Sequence, residues 1–105
     1  MVDVISREDL KRGMADGSIV LVDVREPAEF AAGHIPGSLL LPLSDFRVDS
    51  LPAATPGQRI VFSCRSGQRT LKALAMAQAQ GRGDITAHYA GSMLDWVAAG
   101  EPVEV

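Results

Sequence analysis

Short apolar runs alternate along the chain with segments whose apolar residues recur every three or four positions. The run "VDVI" at 2–5 predicts a short first strand. Ser6 then reads as a helix N-cap with Asp9 three residues on, a variant of the capping box. Leu10 and Met14 share one face of that predicted helix, and Gly17 ends it. The aliphatic run "SIVLVDV" at 18–24 suits a strand buried on both faces of a parallel sheet. Pro27 is placed to start a short helix and Gly33 to stop it. "LLLPL" at 39–43 predicts a third strand, followed by a helical turn or two from Ser44 and a Pro-rich loop. "RIVFS" at 59–63 predicts the next strand. The clearest helix pattern covers 69–81, with Leu71, Leu74, Ala75 and Gln78 at helical spacing and Gly81 as its stop. "DITAHYA" at 84–90 predicts the last strand, and 92–100 a closing helix with Met93, Trp96 and Val97 on one face.

Strand and helix alternate throughout, which predicts an α/β domain with a mostly parallel sheet of about five strands and helices on both faces. Ligands of such sheets sit beyond the carboxyl ends of the strands. That rule gathers four distant segments at one edge: 23–26, 42–44, 63–70 and 89–92.

Composition narrows the function. A chain of 105 residues, 47% hydrophobic, is expected to form one domain spanning 1–105 with a packed core. The formal net charge is −3, and no basic tract or basic aromatic stripe is present, so a nucleic-acid partner is not expected. No apolar run approaches the roughly 20 residues of a membrane span, and the mixed, charged N-terminus is no signal peptide. A monomer in the cytoplasm is the expectation. The single cysteine fits a reducing compartment and rules out an all-cysteine metal site. With only His34 and His88 to add, neither a metal nor a cofactor is called for.

The lone cysteine lies in "SCRSGQRT" at 63–70, at the end of a predicted buried strand and just before a helix. Backbone N–H groups and the positive helix end then point into the loop. Gly67 lets that loop curl into an anion nest, and Arg65 and Arg69 add positive charge. These features favour the thiolate of Cys64 without a neighbouring histidine. They also cradle an anionic substrate on residues Arg65, Ser66, Gly67, Gln68, Arg69 and Thr70, with Arg69 suited to two-pronged contact with an oxyanion. The expected reaction is displacement by sulfur through a covalent intermediate. The target is phosphorus or sulfur. Four residues separate Cys64 from Arg69, one fewer than the five of cysteine phosphatases, and the shorter loop favours a sulfane sulfur.

The chain resembles a single-domain rhodanese, a thiosulfate sulfurtransferase-like protein, over almost its whole length. "LVDVREPAEFAAGHIPGSLLLPL" at 21–43 is similar to the family's D-V-R-x-x-x-E-F-x-x-G-H-I-P-G-A signature. "CRSGQRT" at 64–70 matches C-x-x-G-x-R-[ST], and "YAGSMLDWVAAGEPVE" at 89–104 resembles the closing G-G-x-x-x-W-x-x-x-G-x-P-V motif. The resemblance implies the three-layer α/β/α rhodanese-like fold. It also implies a ping-pong reaction in which Cys64 takes sulfur from an anionic donor such as thiosulfate and passes it, as a persulfide, to cyanide or a thiol. A relay of that sulfur to a partner protein is the alternative, and a phosphatase or arsenate reductase on the same fold a third. Cys64 is the implied catalytic residue, residues 65–69 the cradle, and Asp23 and Arg25 a brace at its edge, more in keeping with an ion pair than with chemistry.

His34 is expected to be a turn residue bonded to backbone, His88 to be exposed or satisfied in the core, and Trp96 to be core. Three features depart from the family pattern: Ser92 in place of the second Gly of the pair, His88 at a usually apolar position, and the 81–84 tip "GRGD". None is expected to touch the Cys64 loop.

Overall fold

The structure, a computed structural model, describes residues 2–105. Five strands and four helices alternate: β1 (Asp3–Val4), α1 (Arg7–Asp16), β2 (Ile19–Asp23), α2 (Pro27–Ala32), β3 (Leu39–Leu40), β4 (Arg59–Ser63), α3 (Arg69–Ala79), β5 (Ala87–His88) and α4 (Ser92–Ala98). All pairings are parallel, in the order β1-β5-β4-β2-β3. The two long aliphatic runs became the two central neighbours, paired from Ile19–Arg59 to Asp23–Ser63. Their carboxyl ends therefore lie side by side in the middle of the sheet, and the cysteine loop leaves from there.

Alternation along the strands divides the core. Val22, Ile60 and Phe62 face one side, where Ala73, Leu74 and Ala77 of α3 cover them together with Phe46 and Leu51. Leu21, Val61 and Ala87 face the other, against Leu10 of α1 and Met93 and Trp96 of α4. This is the expected three-layer arrangement, and the sheet is wholly rather than mostly parallel.

Local signals placed most element ends. The Ser6 hydroxyl accepts the Asp9 N–H at 3.1 Å, and Gly17 closes α1 at φ 80°. Pro27 opens α2 behind a capping box between Glu26 and Glu29. The edge strands are shorter than their apolar runs. Pro42 has no N–H for a ladder, so β3 stops at Leu40 and the chain turns through two 3-10 segments, Leu43–Asp45 and Val48–Ser50.

Two predicted helix faces are corrected. Of Leu71, Leu74, Ala75 and Gln78, only Leu74 is buried; Leu71 is 48% exposed. The buried stripe is Thr70, Ala73, Leu74 and Ala77, displaced by one residue. Thr70 is bonded into the cysteine loop, and that anchor sets the helix rotation in place of the hydrophobicity of Leu71. In α4, Met93 and Trp96 are buried but Val97 is 56% exposed.

Candidate active site

Cys64 follows the last residue of β4 and is 1% exposed. The loop then curls so that the Gly67 N–H donates to Cys64 Sγ at 3.1 Å. Gly67 sits at φ 90°, and a Cβ there would collide with the carbonyl oxygen of Ala90. A left-handed backbone and a close approach thus both require glycine. Burial pushes the Cys64 thiol up, but the amides of Thr70, Gly67 and Ser66 and the Ser92 hydroxyl outweigh it, and the net shift is below the ordinary thiol value. The nest expected at this loop is present, and amides rather than arginines are its main stabilisers of the thiolate.

The arginines behave differently from expectation. Arg69 makes its two-pronged contact with Glu29 of α2, at 2.6 and 3.0 Å, not with open space where an oxyanion would sit. A carboxylate within reach outcompetes solvent for the guanidinium fork. Arg65 is exposed and has no ion pair among the described residues, so it is the cation left free at the loop. Ser66 and Gln68 are exposed, Gln68 preceding α3, while Thr70 is buried in its first turn.

The Arg69 fork, helped by the Glu26 N–H, holds the Glu29 carboxyl down at about 2 against its partial burial. A depressed acid stabilises the fold above its unfolded value and loses that contribution as pH falls toward the folded value. The Glu29–Arg69 contribution is therefore full near neutrality and lost between the ordinary glutamate range and pH of about 2. After solvent screening it amounts to about 1 kcal/mol. Glu29→Gln is expected to lower the thermal midpoint at neutral pH and to flatten its decline in acid; an unchanged acid limb would count against the assignment.

Asp23 and Arg25 form the expected ion pair, buried and multiply bonded. Arg25 Nε lies 3.1 and 3.0 Å from the two Asp23 carboxylate oxygens, and Nη2 is 2.8 Å from one of them. Arg25 Nη2 also donates to the Gly33 carbonyl at 2.8 Å, tying the end of β2 to the end of α2. The Ser44 hydroxyl donates to Glu26 at 2.6 Å, which brings 23–26 and 42–44 together as the sheet-edge rule expects. His34 is the predicted turn residue: its Nδ1 is 2.9 Å from the Phe30 carbonyl, and its ring stacks on Phe30.

Two of the three departures do touch the loop, contrary to expectation. The Ser92 hydroxyl accepts the Cys64 N–H at 3.0 Å and lies 3.9 Å from Sγ. Ser92 stands at φ 52°, the one positive φ outside glycine among the described residues, a backbone state that costs a side-chain-bearing residue about 1–2 kcal/mol. His88 is buried, with Nδ1 2.7 Å from the Thr70 hydroxyl, which itself donates to the Gly67 carbonyl at 2.9 Å. Burial lowers the His88 pKa, which keeps the ring neutral near pH 7. In the 81–84 tip, Arg82 pairs with Asp84 at 3.0 Å.

The first turn of α4 is bonded to the loop through Met93 N–H to the Cys64 carbonyl at 3.1 Å and Leu94 N–H to the Arg65 carbonyl at 3.0 Å. Between α2 and α4 runs an open, largely apolar groove of about 490 Å³, lined by Ala32, Met93, Leu94 and Val97 with Glu29 and Arg65 at its polar side.

The profile of the Rhodanese-like domain family matches residues 6–99. The chain belongs to that family. A thiosulfate:glutathione sulfurtransferase of Saccharomyces cerevisiae is 38% identical, over 90% of this chain and 78% of its own length. A sulfurtransferase of Allochromatium vinosum is 37% identical over 98% of this chain and 95% of its own. Among solved structures, the human single-domain sulfurtransferase superposes with a TM-score of 0.75 at 29% identity, covering 93% of this chain and 97% of the other. The rhodanese fold therefore holds for the whole sheet. Sequence reasoning missed Glu29 as the partner of Arg69, since nothing local announces a contact across 40 positions. It named Ser92 and His88 as departures, which was the available signal, and placed both too far away.

Proposed function

We propose that this rhodanese-like sulfurtransferase carries sulfane sulfur on Cys64, taking it from thiosulfate and passing it to a thiol. The observation that carries the reading is the amide nest: it favours a thiolate at Cys64 while no histidine or carboxylate is bonded to Sγ among the described residues. A thiolate attacking a sulfur–sulfur bond needs no general base. The Cys64 sulfur forms a bond to the outer sulfur of thiosulfate, the donor's S–S bond breaks, and sulfite leaves with the electron pair. The persulfide anion takes the thiolate's place in the nest. An acceptor thiolate then attacks the outer sulfur and leaves as its own persulfide, returning Cys64 to the thiolate.

Arg65, the unpaired cation, is placed to attract the dianionic donor, and Arg69 is held in reserve by Glu29. The similarity to thiosulfate:glutathione sulfurtransferase supports a thiol acceptor. The groove beside the loop supports one larger than cyanide. The four-residue spacing from Cys64 to Arg69 speaks against a tetrahedral phosphate.

Intact-mass analysis after separate incubation with thiosulfate, mercaptopyruvate and an aryl phosphate tests this. The expected product is a gain of one sulfur atom with thiosulfate, discharged by a small thiol, and no adduct with the phosphate. A phosphoryl adduct, or no sulfur gain, would reject the reading.

A further inference from the structure

We propose that Ser92 is a positioning residue for the Cys64 sulfur, its hydroxyl accepting the Cys64 N–H and standing as the one side-chain donor within reach of Sγ among the described residues, at 3.9 Å. The inference rests on the sulfur-transfer reading and deepens it.

Three observations carry it. Ser92 is completely buried, so its hydroxyl must find its partners within the protein. Those partners lie around the nucleophile: the oxygen accepts the Cys64 N–H at 3.0 Å, donates to the Tyr89 carbonyl at 2.7 Å and lies 3.9 Å from Cys64 Sγ. A hydroxyl has one hydrogen to donate. In the neutral thiol the short bond to the Tyr89 carbonyl takes it; when Sγ is charged, the hydrogen has an anion to turn to at the end of a fixed arm. Finally, the backbone at φ 52° is one that glycine adopts freely and serine does not. A residue there for backbone reasons alone needs no side chain, so the hydroxyl is what the strain supports.

The Cys64 N–H is thereby directed at Ser92 rather than into the nest. The Ser92 hydroxyl thus engages Cys64 through its backbone, while the Gly67 amide bonds Sγ itself at 3.1 Å. Other titratable or charged groups around the loop are the Glu29–Arg69 pair, the Asp23–Arg25 pair, Arg65 and His88 behind Thr70. Substitution at Ser92 leaves all of them in place.

The test is the pH dependence of Cys64 alkylation by iodoacetamide, which needs no sulfur donor and so succeeds or fails independently of the sulfur-transfer reading. Ser92→Gly removes the hydroxyl and relieves the backbone. The relieved backbone offsets the buried Cys64 N–H left without its acceptor, so the variant is expected to melt close to the parent, yet to shift the alkylation midpoint to higher pH, with a rate roughly three- to tenfold lower at a pH below the midpoint, the range of one net hydrogen bond. Ser92→Ala removes the hydroxyl and keeps the strain, and is expected to show the same shift with a lower thermal midpoint. An unmoved alkylation midpoint in Ser92→Gly overturns the proposal, whatever the alanine variant does.

Discussion

Cys64→Ala protein exposed to thiosulfate is expected to keep its original mass while folding much as the parent does. The sulfur is the only atom in the nest able to attack, so its removal abolishes both the adduct and turnover rather than slowing them. Folding survives because little packing is lost. Cys64 belongs to the core cluster that holds Val24 and Phe62, and contributes one atom beyond alanine. The void it leaves costs about 1 kcal/mol. The Gly67 N–H loses its acceptor, but a charge no longer has to be held in a buried site. Intact mass and thermal unfolding on the same sample check both halves. A Cys64→Ala protein that still gains one sulfur would place the nucleophile elsewhere, although no other cysteine exists in the chain.

Gly67→Ala is expected to leave Cys64 in place and still remove most of the activity. The residue sits at φ 90°, and the atom its Cβ would strike is the backbone oxygen of Ala90, which cannot swing aside as a side chain would. The loop must open instead. That carries the Gly67 amide away from Sγ and weakens the hold of the nest on the thiolate. A shift of about 1 Å in a reacting group costs on the order of a hundredfold in rate. The strained backbone adds about 1–3 kcal/mol of destabilisation. Gly17→Ala is the matched control. Gly17 is also left-handed, at φ 80°, but nothing lies within 4 Å of its Cβ position. It is expected to lose about 1 kcal/mol and no sulfur-transfer rate. The persulfide formation rate and thermal midpoint of both variants separate loop geometry from backbone preference. Equal rates in Gly67→Ala and the parent would show that the nest does not hold the reacting sulfur.

Much of this was legible before any coordinates. The aliphatic runs at 18–24 and 59–63 demanded buried parallel strands, and they became β2 and β4. Ser6, Gly17, Pro27 and Gly33 bounded their helices because capping is a contest among a few neighbouring backbone groups. Cys64, Gly67 and Thr70 were legible as a loop for the same reason. The α3 face was less so. Leu71 carries the larger hydrophobic side chain, but Thr70 is tied to the Gly67 carbonyl, so the helix buried the threonine and turned the leucine outward.

What the residue order determined by itself is the local chemistry: a curled, amide-lined loop around one cysteine, with four residues between it and Arg69, at the carboxyl end of a buried strand. Each of those features depends on residues within a few positions of one another. Only the tertiary structure decided which charges remain available there. Arg69 is two-pronged as expected but spends its fork on Glu29, while Arg65 stays free. The contacts of Ser92 with Cys64 and of His88 with Thr70 likewise come from segments that meet only when β4, β5 and α4 close together. Charge and hydrogen-bond partners are chosen by distance in space, and for these residues the competitors lie tens of positions apart along the chain.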